Sequence, residues 1–154
     1  RIGKLLNLPN GGGYLIDNKQ YIIYIHPDFD AANDLTDYKF FCFDGKPRLC
    51  QVITDRRSDE KIDFYDMEWN RLIGLIGLNT HLHNSIAEHP QPVCFEKMKE
   101  LASTLSAGIP FSRIDLYEVA GQVYFGEITF FPASGFGEFR PKEWNMKIGG
   151  WVRF

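Results

Sequence analysis

The chain has 154 residues, of which 44% are hydrophobic and 24% are charged, and its formal net charge is −3. This length and balance fit one globular domain and exclude a disordered or fibrous protein. Basic residues are scattered along the sequence, which excludes a nucleic-acid-binding surface. No apolar run approaches the roughly 18 residues that a membrane-spanning helix needs.

The three cysteines are Cys42, Cys50 and Cys94, and their spacing matches neither a zinc site nor a CxxC redox pair. We interpret them as reduced structural thiols, which favours a cytoplasmic location. Residues 1–9 are too short for a complete signal peptide and begin inside a pattern, so we expect the chain to be part of a longer protein.

Two hairpins are predicted in the first third of the chain. Gly11, Gly12 and Gly13 come before two β-branched and aromatic runs that Asn18-Lys19 separates, and this pattern indicates a glycine-led hairpin. Asp44-Gly45 then lies between two further apolar runs, a strong signal for a tight turn between antiparallel strands.

The middle of the chain is predicted to contain a long excursion and a helix. Residues 55–92 are irregular and are expected to run over the surface. Between residues 93 and 107 apolar side chains recur at spacings of three and four, and Gly108 and Pro110 supply stop signals. A second helix is predicted over residues 141–151. Strands outnumber helices, so the predicted fold is α+β.

A third hairpin, residues 111–130, is the most informative segment. We predict a three-residue loop, Val119-Ala120-Gly121, with Gly121 in the left-handed conformation that such loops require. In that register Asp115 lies diagonal to Glu127 on one face of the sheet. A two-residue loop would separate the two carboxylates and place one among apolar side chains, at a large desolvation cost.

Carboxylates on one sheet face predict a cation site. Asp115 and Glu127 are hard oxygen ligands suited to Mg²⁺, which commonly bridges carboxylates and nucleotide phosphates. Arg113 faces Glu127 in the predicted register, with Thr129 further along the face, and a guanidinium can neutralise a phosphate oxygen. From spacing alone, an exposed Arg113–Glu127 pair beside a solvated Asp115 is the more common arrangement.

Several segments resemble ATP-grasp enzymes. The segments RIDLY at 113–117 and YFGEITF at 124–130 resemble their metal-binding hairpin. Other segments are similar to the TupA-like family of that superfamily, namely DYKFFCFDGKP at 37–47, FYD and WNR between 64 and 71, and PASGFG at 132–137. These motifs occur in order across residues 37–154.

The resemblance implies a fold and a domain division. Residues 37–154 would form an ATP-grasp-like lobe of antiparallel hairpins packed with one or two helices. Residues 1–36 would be a truncated remnant of the glycine-loop hairpin region. In that region Gly11, Gly12 and Gly13 would cradle phosphate oxygens with backbone N–H groups, whereas glycine clusters more often mark a flexible turn.

The resemblance also implies roles for single residues. Asp115 and Glu127 would bind Mg²⁺ and Arg113 would assist the acyl-phosphate step. Thr129 stands where many relatives carry asparagine, and its hydroxyl would be a weaker metal ligand.

Two further basic residues become candidates through the resemblance. Lys39 would contact a phosphate or an acyl phosphate and so take part in catalysis, although an exposed strand lysine is as common. Arg56 is a second candidate for nucleotide binding. His81 and His83 are interpreted as exposed loop residues because no third metal ligand is in register with them.

By resemblance, the function is that of an ATP- and Mg²⁺-dependent carboxylate ligase in bacterial cell-surface polysaccharide or polymer biosynthesis. An acylphosphate intermediate would react with an amine or similar acceptor. Expected partners are a nucleotide and a carboxylate-bearing polymer precursor. A non-catalytic nucleotide-binding module and an ATP-grasp kinase are the alternatives, and turnover by this chain alone and its oligomeric state are open.

Overall fold

The computed structural model describes residues 5–8, 11–15, 22–24, 35–56 and 58–153. The strands are β1 (Leu5–Leu8), β2 (Gly11–Leu15), β3 (Ile22–Tyr24), β4 (Asp37–Phe43), β5 (Lys46–Thr54), β6 (Lys61–Tyr65), β7 (Ile76–Gly77), β8 (Ser112–Val119), β9 (Gln122–Thr129) and β10 (Phe139–Arg140). The α-helices are α1 (Phe95–Leu105) and α2 (Glu143–Gly149), and a 3₁₀ turn spans Pro132–Gly135.

A five-stranded antiparallel sheet in the order β6-β5-β4-β8-β9 forms the centre of the protein. The predicted turn between β4 and β5 is confirmed, because Asp44 and Gly45 have φ values of 48° and 73°. Two successive positive φ angles are typical of a type I′ hairpin turn, and Asp-Gly tolerates them well. With two helices on this sheet, the α+β prediction is confirmed.

The N-terminal strands form a separate sheet in the order β1-β2-β3. The predicted pairing of two strands in this region is confirmed by the antiparallel contact of β2 with β3. The prediction of a flexible turn at the glycine cluster is wrong, because Gly11, Gly12 and Gly13 lie in β2 and pair with β1. The predicted turn at Asn18-Lys19 lies outside the described residues.

The predicted excursion over residues 55–92 is wrong for the part that forms β6. This strand pairs with β5 at the edge of the central sheet. Phe64 and Tyr65 are both fully buried, and they point to opposite faces of the sheet. A strand covered on both faces has no polar alternation, which explains why its sequence does not indicate a half-exposed strand.

Helix α1 covers the first face of the central sheet. The predicted apolar stripe is confirmed, since Met98, Leu101 and Ala102 are buried against the strands. The buried strand residues of this cluster are Phe40, Cys42, Cys50, Val52, Tyr65, Ile114 and Leu116. Cys42 and Cys50 are free, as predicted, and burial raises the pKa of the Cys42 thiol to about 12.

Among the described residues, β7, β10 and α2 pack on the second face. The buried residues of this cluster are Phe41, Phe43, Leu49, Ile53, Ile62, Phe64, Leu75, Phe139 and Ile148. The second predicted helix is confirmed, but it begins at Glu143, two residues later than Pro141. None of the helices in the described part of the chain has the length and apolar character needed to cross a membrane.

A buried carboxylate holds the segment after β6 against the sheet. Asp63 is fully buried. Its Oδ1 accepts hydrogen bonds from Arg71 Nε (3.1 Å) and Nη2 (2.7 Å). Its Oδ2 accepts one from the backbone N–H of Ser85 and lies 3.1 Å from His89 Nε2. Burial by itself raises the pKa of Asp63, but the hydrogen bonds from His89, Ser85 and Arg71 outweigh it and lower the pKa from 3.8 to about 2.

Asp63→Asn is expected to destabilise the protein, because Arg71 would lose its buried counter-charge. A pKa lowered from 3.8 to about 2 on folding corresponds to about 2 kcal/mol of stability. Because the folded pKa is the lower one, this stability is present above about pH 4 and is lost as pH falls through about 2. Urea unfolding of both proteins between pH 2 and pH 7 would measure this. Asp59→Asn is the control and should change the acid limb much less, because the pair of Asp59 with Lys61 is 81% exposed on the aspartate side and is screened by solvent.

Candidate functional site

Charged side chains lie on the second face of the sheet, beside the part that α2 and β10 cover. Alternation along β4 places Asp37 and Lys39 on the same face as buried Phe41. Lys39 pairs with Asp115 of β8, and Asp115 pairs with Glu127 of β9. Three adjacent strands therefore bring their ionisable residues to one part of the sheet.

The register of the third hairpin differs from the prediction. Its loop has two residues, Ala120 and Gly121, with φ values of 50° and 73°. A shift between Asp115 and Leu116 leaves Gly126 as an extra residue in β9. This β-bulge reverses the alternation beyond it, so Asp115 and Glu127 share a face despite the short loop. The predicted common face is right, but its cause is the bulge and the two carboxylates are directly opposite each other.

The bulge requires glycine at position 126. A Cβ atom there would lie 2.9 Å from the ring of Tyr117 and 3.1 Å from the carbonyl oxygen of Asp115. Both distances are shorter than ordinary carbon contacts. A glycine inside a strand is a recognised signal of a bulge, so the sequence did contain a local indication of this register.

Arg113 bridges the two carboxylates. Its Nε donates to Asp115 Oδ1 and its Nη2 to Asp115 Oδ2, both at 2.7 Å. The same Nη2 donates to Glu127 Oε1 at 2.7 Å and to Thr129 Oγ1 at 3.1 Å. The predicted register placed Arg113 opposite Glu127, but Arg113 lies opposite Thr129. Its guanidinium therefore balances the charge between the two predicted metal ligands.

Asp115 is the buried centre of the arrangement, with a side chain only 1% exposed. Lys39 Nζ contacts the same Oδ2 that accepts from Arg113. Burial raises the pKa of Asp115, and the hydrogen bond and charge of Arg113 together with the charge of Lys39 offset part of that rise. For Arg113, burial lowers the pKa, but Asp115 and then Glu127 outweigh it and raise the pKa.

Glu127 forms the solvent-facing side, since its side chain is 59% exposed. Thr129 donates a hydrogen bond to Glu127 Oε1 at 2.8 Å. This hydrogen bond and the charge of Arg113 lower the pKa of Glu127. An ionised, accessible carboxylate beside a hydroxyl oxygen is the part of the site that a cation from solution can reach.

Two residues extend the charged group at the β4 end. Lys39 Nζ lies 2.7 Å from Asp37 Oδ2, and Arg56 Nη2 lies 3.1 Å from the same oxygen. Lys39 is only 6% exposed, so its interpretation as a solvent-facing strand lysine is wrong. Sequence analysis assigned no role to Asp37, although its spacing of two residues from Lys39 already placed both on one face of a strand.

Charges alternate along the whole series, which we call the ion ladder. It runs Arg56, Asp37, Lys39, Asp115, Arg113, Glu127. Three cations face three carboxylates, so the ladder carries no net charge. The close pairing offsets the desolvation of its buried members, because each buried charge contacts an opposite one.

Other predicted residues lie elsewhere. His81 and His83 are exposed, and no cluster of three or more histidine, cysteine or acidic residues suited to a metal occurs within the described ranges. Gly11, Gly12 and Gly13 belong to the N-terminal sheet and not to the central sheet that carries the ion ladder. Strand β3 of the N-terminal sheet contacts β9 of the central sheet. The predicted phosphate contact of the three glycines, like the metal roles of Asp115 and Glu127, stays a prediction.

The loop after β9 is held in an unusual backbone conformation. Ala133, Ser134 and Gly135 have φ values of 50°, 56° and 78°. Positive φ angles at two consecutive residues with side chains are strained. Phe131 and Phe136 flank this turn and are 77% and 90% exposed. The loop therefore presents two aromatic rings to solvent directly after the charged strand.

Comparison with protein families decides what this arrangement belongs to. Residues 18–153 match the TupA-like ATPgrasp family. The chain is a member of that family. The predicted family is thereby confirmed, and the match includes the part of the N-terminal region from residue 18 onward. Comparisons with curated proteins and with solved structures gave no match.

ATP-grasp proteins generally use ATP and Mg²⁺, so the residues of the site can be compared with the ligands that Mg²⁺ prefers. Glu127 fits it, because its carboxylate is a hard ligand and its side chain is 59% exposed. The Thr129 hydroxyl lies beside it and is hydrogen-bonded to Arg113 and Glu127. Asp115 fits by chemistry, but both of its oxygens already accept hydrogen bonds from Arg113. These oxygens are of the kind that Mg²⁺ binds, and in this structure Arg113 contacts all three residues that carry them.

Proposed function

We propose that this chain is the ATP- and Mg²⁺-binding part of a carboxylate ligase. The observation that carries the proposal is the direct pairing of Asp115 with Glu127 on one sheet face of a TupA-like ATPgrasp chain, with two cations beside them. Carboxylates can bind a metal ion and side-chain cations can bind phosphate oxygens. The two together suit a nucleoside triphosphate bound to Mg²⁺.

Five residues of the ion ladder, together with Thr129, have a chemical task in this proposal. Glu127, Thr129 and Asp115 would hold Mg²⁺, which when bound neutralises charge on phosphate oxygens. Arg113 is the candidate for stabilising negative charge during acyl-phosphate formation, because a guanidinium binds phosphate oxygens through two N–H groups. Lys39 and Arg56 are the candidates for further phosphate contacts.

The substrate and setting rest on the family resemblance. We propose a carboxylate-bearing precursor of a bacterial surface polysaccharide or polymer as substrate, and an amine or similar group as acceptor. We place the protein in the cytoplasm, where ATP is available and where free cysteines such as Cys42, Cys50 and Cys94 persist in the reduced state.

Calorimetric titration with ATP tests the nucleotide part of the proposal. We expect binding in the presence of Mg²⁺ and a loss of about tenfold or more in affinity when EDTA removes the metal, because the charge on the phosphate oxygens is then no longer neutralised beside Asp115 and Glu127. AMP is the control ligand, since it lacks the β- and γ-phosphates. An affinity for ATP that chelation does not change would contradict the proposed metal site.

Product analysis separates the ligase from its alternatives. Release of ADP that requires both a carboxylate and an amine indicates a ligase, whereas a phosphorylated product without ligation indicates a kinase. Binding of ATP without either product indicates a non-catalytic nucleotide-binding module.

A further inference from the structure

Asp37 is a buried carboxylate, and the packing around it does not explain why it is there. It is fully buried at the start of β4. Neither of its carboxylate oxygens accepts a hydrogen bond of good geometry among the described residues. Buried carboxylates normally have such partners, and one without them calls for an explanation.

The contacts that Asp37 does make are with charges. Lys39 Nζ lies 2.7 Å from its Oδ2 and Arg56 Nη2 lies 3.1 Å away, so Oδ2 is the counter-charge of two cations, whereas Oδ1 has no partner among the described residues. A counter-charge at this place is needed, because without it Lys39 and Arg113 would share the single buried carboxylate of Asp115.

Asp37 also fixes where the ammonium group of Lys39 lies. A lysine side chain is long and flexible and carries a large rotamer entropy, so one carboxylate leaves its end free to move. Here the ammonium is held between two carboxylates on neighbouring strands, Asp37 of β4 and Asp115 of β8. Arg56, whose side chain is 44% exposed, lies on the solvent side of Asp37.

We propose that Asp37 is a positioning residue that holds the Lys39 ammonium against Asp115. Its contribution to nucleotide binding rests on the proposed function, whereas the positioning itself does not. Asp63 offers a matched control, because it is equally buried in the same sheet and paired with an arginine, but lies outside the ion ladder.

Acetylation of lysines, quantified by mass spectrometry of peptides, tests the positioning without nucleotide. Lys46, which is exposed at the start of β5, is the internal reference. Asp37→Asn should increase labelling of Lys39 relative to Lys46 about tenfold, because the freed ammonium reaches solvent more often. Asp63→Asn should not change this ratio. An unchanged ratio in folded Asp37→Asn would overturn the proposal, whatever the nucleotide result.

Nucleotide affinity tests whether Asp37 acts through Lys39. Asp37→Asn should weaken binding of ATP with Mg²⁺ about tenfold in the wild-type background and have no further effect in Lys39→Met. Equal losses in both backgrounds would contradict an action through Lys39. If the wild type binds no nucleotide while Asp37→Asn exposes Lys39, the proposed function fails and the positioning stands.

Folding provides a second measurement in case Asp37→Asn does not fold. Adding Lys39→Met to it removes the buried charge that Asp37 balances, so the double variant should regain folding. A double variant that stays unfolded would show that Asp37 serves the fold independently of Lys39, and would overturn the proposal.

Discussion

Asp115→Asn is expected to cause the largest loss of folding stability of any change in the ion ladder, about 3 to 5 kcal/mol. The asparagine keeps the shape of the side chain but removes the charge that Lys39 and Arg113 share. Asp115 is 1% exposed, so water cannot replace that charge. Urea unfolding at neutral pH in the absence of metal measures the effect.

A double variant and the size of the stability loss show how the result for Asp115→Asn is to be interpreted. Lys39→Met in the Asp115→Asn background should recover part of the stability, because it removes one of the two uncompensated cations. A loss below about 1 kcal/mol for Asp115→Asn would indicate that the contacts with Lys39 and Arg113 are not maintained in solution. Arg113 lies between Asp115 and Glu127 and donates to both, so it offsets the repulsion that two carboxylates at this distance would otherwise have.

Glu127→Gln is expected to have the largest effect on nucleotide binding, with little effect on stability. It removes the accessible anionic ligand and should weaken binding of ATP with Mg²⁺ on the order of 100-fold, or about 2.7 kcal/mol. The side chain is 59% exposed, so its pair with Arg113 is screened by solvent and contributes within about 1 kcal/mol to folding. Calorimetry and urea unfolding of the same preparation separate the two effects.

The control for Glu127 lies in the same hairpin. Glu118 is an acidic residue of β8 that accepts a hydrogen bond from the backbone of Cys94 and does not belong to the ion ladder. Glu118→Gln should leave the nucleotide affinity unchanged. If Glu127→Gln lowers stability strongly and leaves binding intact, then Glu127 is a structural partner of Arg113 and the metal proposal is wrong.

Part of the fold and of the site was predictable because it depends on local sequence patterns. The turn at Asp44-Gly45 and the helix that ends before Gly108 follow from the conformational preferences of glycine and from apolar spacing. The shared face of Asp115 and Glu127 was also predicted, but for the wrong reason. A three-residue loop and a two-residue loop followed by a bulge both place these residues on one face, and the intervening sequence does not distinguish them unless Gly126 is recognised as the extra residue.

The sequence by itself determined the α+β class, the hairpins around the turns and the identity of the charged residues 113, 115 and 127. Only the tertiary structure decided that β4 lies between β5 and β8, which buries Lys39 and Asp37 beside Asp115. Contacts between strands far apart in sequence leave no local trace, because an alternating strand has the same pattern at a sheet edge and at its centre. The sequence therefore supplied the charges, and the pairing of β4 with β8 determined which of them neutralise one another.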